Sequence, residues 1–76
     1  MNYRAKLVLT RGEQERAESM DIKVIRGEVE SSGMYYCELQ HSSTSRLVNF
    51  LETIYDLGGH RYNREQLEEI YISSIK

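Results

Sequence analysis

Along Asn2–Thr10 the chain alternates: Tyr3, Ala5, Leu7 and Leu9 fall on one parity, and Arg4, Lys6, Val8 and Thr10 on the other. A period of two is the signature of a half-buried strand, because successive side chains of extended backbone point to opposite faces. The next stretch, RGEQERAES, is charged and has no apolar stripe, so it reads as a long hairpin connection rather than a helix. Alternation resumes at Met20, Ile22 and Val24, then slips by one, with Ile25 and Val29 continuing on the other parity around Gly27. A β-bulge near Ile25 to Gly27 would absorb the slip, because one extra residue returns the side chains to the same face. Ser31, Ser32 and Gly33 then make a turn. Met34 to His41 returns as a strand, with Tyr35, Cys37 and Leu39 on one face and Met34, Tyr36, Glu38 and Gln40 on the other.

Beyond His41 the period changes. Leu47, Phe50, Leu51, Ile54 and Leu57 recur at three- and four-residue intervals, with Arg46, Asn49, Thr53 and Asp56 opposite them, which predicts an amphipathic helix. Ser42, Ser43, Thr44 and Ser45 offer N-cap oxygens for its first turn, and Gly58 and Gly59 can adopt the left-handed conformation that closes a helix. In the last segment Asn63 and Gln66 have the spacing of an N-cap pair, and Leu67, Ile70, Tyr71 and Ile75 fit one helical face. EIYISSI nevertheless favours extended backbone through its β-branched and aromatic residues. The reading adopted is one or two helical turns from Arg64 to about Glu68 and an edge strand near Ile70 to Ile75; the competing reading is one continuous helix. The expected fold is α+β: an antiparallel sheet of three to four strands in the order β-β-β-α, with a short helix or edge strand after it and one amphipathic helix across one face.

One stretch points elsewhere. SSGMYYC (residues 31–37) resembles the Asp-x-Gly-x-Tyr-x-Cys signature of the sixth strand of immunoglobulin variable domains, with Gly33, Tyr35 and Cys37 at the matching spacing and Ser31 in the place of the acid. That sandwich needs roughly 100 residues, a second cysteine and a buried tryptophan. The chain has 76 residues, one Cys and no Trp, and only 36 residues precede Cys37. The likeness therefore implies no shared fold, and SSGMYYC is a turn entering a strand.

Size and charge narrow the functional classes. A chain of this length forms a single domain and buries only about 60 to 65% of its unfolded surface. Small secreted domains staple themselves with paired disulfides, so a lone cysteine predicts a reducing, cytoplasmic setting. The apolar run after Arg4 and Lys6 is too short for a signal peptide, and nothing approaches the ~20 apolar residues that cross a bilayer, so no membrane partner is expected. Residues 1–26 hold six Lys or Arg against four acids, and residues 27–76 hold four against eight, so +2 precedes −4. That field is too weak for a general DNA binder or a DNA mimic.

Candidate chemistry is sparse. Cys37 and His41 lie four apart, adjacent on a helix but separated by roughly 13 Å on a strand, which no single metal ion can bridge. A metal site would need His41, His60 and outside carboxylates to converge, and a Cys–His nucleophile would need Cys37 and His60 to meet in space. Glu52 with Asp56, and Glu65 with Glu68 and Glu69, read as solvated acidic faces. The five glycines are scattered and match no phosphate-cradling motif, and the serine cluster beside Arg46 is explained by capping. The expectation is a non-enzymatic chain with no cofactor and no metal.

The sheet face turned away from the helix is the richer feature. With Tyr3, Leu7, Leu9, Ile22, Val24, Cys37 and Leu39 in the core, Arg4, Lys6, Lys23, Met34, Tyr36 and Gln40 populate the other side. Tyrosine, methionine and arginine are residue types that supply interface hot spots, and a small sheet leaves edges open to pairing. The function expected is a small protein-binding module, an adaptor, subunit or inhibitor acting by occupying a partner's surface, with homodimerisation as one form of it. The alternative is single-stranded nucleic-acid binding, with Tyr36 stacking bases and the cations holding phosphates.

Overall fold

The computed structural model describes residues 2–57 and 63–75. Gly58, Gly59 and His60 lie outside the described residues, as do the side chains of Asp56 and Leu57. The elements are β1 (Asn2–Thr10), α1 (Arg11–Ser19), β2 (Lys23–Ser31), β3 (Met34–His41), α2 (Thr44–Leu57), α3 (Arg64–Tyr71) and β4 (Ile72–Ile75). The fold is α+β, with one four-stranded sheet in the order β2-β3-β1-β4 and every neighbouring pair antiparallel.

Two features differ from the sequence reading, and they share a cause. RGEQERAES is not a connection but α1, and β1 and β2 are not hairpin partners, because β3 lies between them. The helix begins with a capping box: the Glu13 amide donates to Thr10 Oγ1 at 3.2 Å, and the Thr10 amide donates to Glu13 Oε1 at 2.8 Å. It ends in a Schellman arrangement, where the Ile22 amide donates to the Ala17 carbonyl and the Asp21 amide to that of Glu18. Asp21 takes the left-handed position (φ 63°) that glycine usually fills. Between the caps α1 buries only Gln14 and Ala17, three apart, a seam too narrow to register as an apolar stripe. Gln14 Nε2 donates to the Leu9 carbonyl at 3.4 Å, and Ala17 joins the main core. A helix between β1 and β2 carries the chain across β3's place in the sheet, so the whole is β-α-β-β-α-β with α3 added, the split β-α-β arrangement.

The remaining elements follow the pattern closely. Ser32 and Gly33 form a two-residue hairpin in which Gly33 has φ 77°. The α3 capping box is formed by Asn63 and Gln66, with bonds of 2.9 and 3.0 Å. That helix runs three residues past the expected Glu68, to Tyr71, so the edge strand starts at Ile72, and Ile70 stays exposed. All three helices contribute to the apolar clusters on one side of the sheet. Ala5, Leu9, Ala17, Ile22, Cys37, Leu39, Leu47 and Phe50 form the larger, and Val48, Leu51 and Leu67 a second beneath α2 and α3. Arg46 Nη1 donates to the Met20 carbonyl at 2.9 Å, tying the start of α2 to the end of α1. Arg64 reaches from α3 to Glu52 and Asn49 of α2, and Tyr55 and Tyr71 stack with ring centroids 5.2 Å apart.

Candidate functional site: the open sheet face

The sheet's second face is built by register. Opposite β3, Arg4 pairs with Gln40, Lys6 with Glu38, Val8 with Tyr36 and Thr10 with Met34. On the other side of β3, Lys23 pairs with Gln40 and Ile25 with Glu38. Directly paired residues share a face, so Arg4, Lys6, Lys23, Met34, Tyr36 and Gln40 all lie together on the side away from the core. The helix clusters occupy the opposite side, and among the described residues no helix packs on this one.

The centre of the face is apolar. Val8, Ile25, Gly27 and Tyr36, flanked by Lys6 and Glu38, line a shallow concavity of about 530 Å³. Tyr36 and Ile25 are 53% and 42% exposed. Ile25 is where the sequence reading fails: the expected bulge was to return it to the core face, but the register stays regular through Arg26 and shifts first between Arg26 and Val29, then again between Val29 and Ser31. Ile25 therefore keeps the open parity. The first shift does move Val29 to the core parity, opposite Tyr35, but beyond the reach of the core, and it is 62% exposed. Gly27 marks the irregularity, because a Cβ there would come within 3.0 Å of the Tyr36 carbonyl oxygen. The signal for Ile25 was the unbroken alternation Lys23–Val24–Ile25–Arg26, which places it with Lys23.

Electrostatically the face is cationic with one exception. Glu38 accepts from Gln40 Nε2 at 2.5 Å, and Arg4 Nη1 lies 3.9 Å from its carboxylate. Arg4 and Gln40 are thus engaged within the face, while Lys6 and Lys23 are exposed at its rim. Met34 sits at the hairpin end, half-buried.

Elsewhere the candidate chemistry separates. Cys37 points into the core at 5% exposure, and its thiol donates to the Tyr35 carbonyl at 3.5 Å. Burial raises its pKa above the ordinary thiol range, only partly opposed by the Arg26 guanidinium. A buried, protonated thiol is a poor nucleophile. His41 Nδ1 accepts from the Ser43 amide at 2.8 Å, so this imidazole organises the turn into α2. Among the described residues no three His, Cys, Asp or Glu side chains converge as metal ligands. Glu65, Glu68 and Glu69 line a polar cleft of about 430 Å³ with Ser45, Val48 and Arg64, all but Val48 exposed to solvent. Arg46, beside the serine cluster, donates to the Met20 carbonyl. Among the described residues no helix is long and apolar enough to cross a membrane.

Comparison with protein-family models, with curated proteins and with solved structures returned no match.

Proposed function

We propose that the chain is a small protein-binding module that works by surface occupancy, in the cytoplasm, with the open sheet face as its docking surface. The observation that carries this reading is the exposed apolar centre made by Val8, Ile25 and Tyr36. The open face of an antiparallel sheet is ordinarily polar, so clustered aliphatic and tyrosine side chains in a concavity are what an interface core requires. The cationic rim supplies orientation and selects a partner with acidic borders. The test is affinity capture from the native host with the full chain, compared with Ile25→Asp and Tyr36→Asp. A partner retained by the wild type and lost with both variants, while circular dichroism stays unchanged, supports the reading. Partners held equally by all three proteins overturn it.

A second reading rests on the three cations, Arg4, Lys6 and Lys23, on the face that carries Tyr36, which suit a single strand of nucleic acid. Glu38 in the middle of the face and the aliphatic Val8 and Ile25 where further stacking rings would be needed weigh against it. Anisotropy with labelled oligonucleotides at low salt decides: binding that weakens with salt and with Lys6→Ala and Lys23→Ala favours nucleic acid, and none at low salt ends that reading.

A further inference from the structure

The two edges of the sheet are unlike. β4 is four residues long, whereas β2 is nine, and every residue from Ile25 to Ser31 is exposed. Pairing with β3 uses one side of β2 and, among the described residues, leaves its other row of backbone groups without a strand. We propose that this edge pairs antiparallel with β2 of a second copy, across a two-fold axis normal to the sheet, in the register that sets Lys23 opposite Glu30 and Val24 opposite Val29.

Side-chain parity selects that register. Val24 pairs with Leu39 and Val29 with Tyr35, so the first of the two register shifts, between Arg26 and Val29, has put both valines on the helix side, where they meet across the seam. The two-fold axis makes each contact twice, giving two valine pairs and two Lys–Glu pairs. Arg26 falls opposite Gly27, which has no side chain to clash with it. A slip of one residue in one direction sets Arg26 against Arg26 of the second copy, like charge on like charge. A slip in the other direction sets Ile25 against Val29, but Ile25 lies on the open face and Val29 on the helix side, so they do not meet. Charges and a bulge ordinarily blunt an edge against foreign strands; here they are complementary to their own copy.

The assembly joins two four-stranded sheets into one of eight, with the described helices on one side. The apolar concavities then flank the seam on the other side, since Ile25 and Gly27 belong to β2 itself. Edge pairing stands whether or not the open face binds a partner. A strand seam is smaller than a standard interface, so the association is weak and concentration-dependent.

Sedimentation equilibrium on the full chain, with amide hydrogen exchange read at several concentrations, tests the proposal. The expected result is a monomer–dimer equilibrium in which β2 amides gain protection as the dimer fills. Lys23→Glu and Glu30→Lys each weaken the dimer by about tenfold, since each acts twice across the axis, and the double swap returns it to within about threefold of wild type. Val29→Lys, at an exposed position that leaves the fold intact, removes the dimer. A chain that is monomeric at every concentration, a dimer with no added protection in β2, or a double swap that fails to restore association overturns the proposal.

Discussion

The two faces of the sheet are made by the same strands, yet they carry opposite economies. On the covered side Leu9 of β1 and Leu39 of β3 are fully buried, packed in one cluster with Leu47 and Phe50 of α2. On the other, Val8, Ile25 and Tyr36 alternate with them along the same backbone and remain in contact with solvent. Strand propensity cannot distinguish these residues, because β-branched and aromatic side chains suit both faces. What distinguishes them is the placement of helices, and that makes one face responsible for stability and leaves the other open to solvent.

The comparison is broken most severely on the covered side. Phe50→Ala removes a fully buried ring between α2 and the sheet, and is expected to cost about 3 to 5 kcal/mol in urea unfolding. A loss below about 1 kcal/mol would show that this face is not the core. Next comes Thr10→Ala, which deletes one half of the α1 capping box and is expected to cost about 1 kcal/mol. Because α1 buries so little, hydrogen exchange in this variant should rise over residues 11–19 before it rises in β3. Asp21→Gly relieves the left-handed strain at the end of the same helix and should stabilise by roughly 0.5 kcal/mol.

Alkaline pH probes the covered face without a volume change. The Cys37 pKa is raised in the folded chain, so folding favours the protonated thiol; its contribution is intact below the ordinary thiol range and is lost as pH rises through the raised value. Denaturation midpoints should therefore fall on the alkaline side, and Cys37→Ala should flatten that limb. The smallest stability effect belongs to the open face: Tyr36→Ser is expected to change unfolding free energy by no more than about 0.5 kcal/mol, while lowering the binding of an environment-sensitive apolar dye. A large loss of stability in that variant would mean that the two faces are not separate in function.

Much of this was legible beforehand. The alternation in β1 and β3 specified both faces, and the register brought Arg4, Lys6, Lys23, Met34, Tyr36 and Gln40 together as expected. The apolar spacing from Leu47 to Ile54 specified α2, and Asn63 with Gln66 specified the start of α3. α1 escaped because its stability rests on end bonds and tertiary contact through Ala17 and Gln14 rather than on an amphipathic stripe. Its one local sign was the Thr10–Glu13 spacing of a capping box. Ile25 escaped because a slip in alternation tells that an extra residue exists, but not on which side of Ile25 it falls.

The sequence by itself determined the extended runs of β1 and β3, the existence of α2, the start of α3 and which side chains of β1 and β3 share a face, because those are properties of backbone period and nearest-neighbour chemistry. Only the tertiary structure decided the strand order β2-β3-β1-β4, the face on which the helices lie and the positions of the two register shifts in β2. Those depend on which distant surfaces exclude water together, and no local pattern encodes a partner that is thirty residues away.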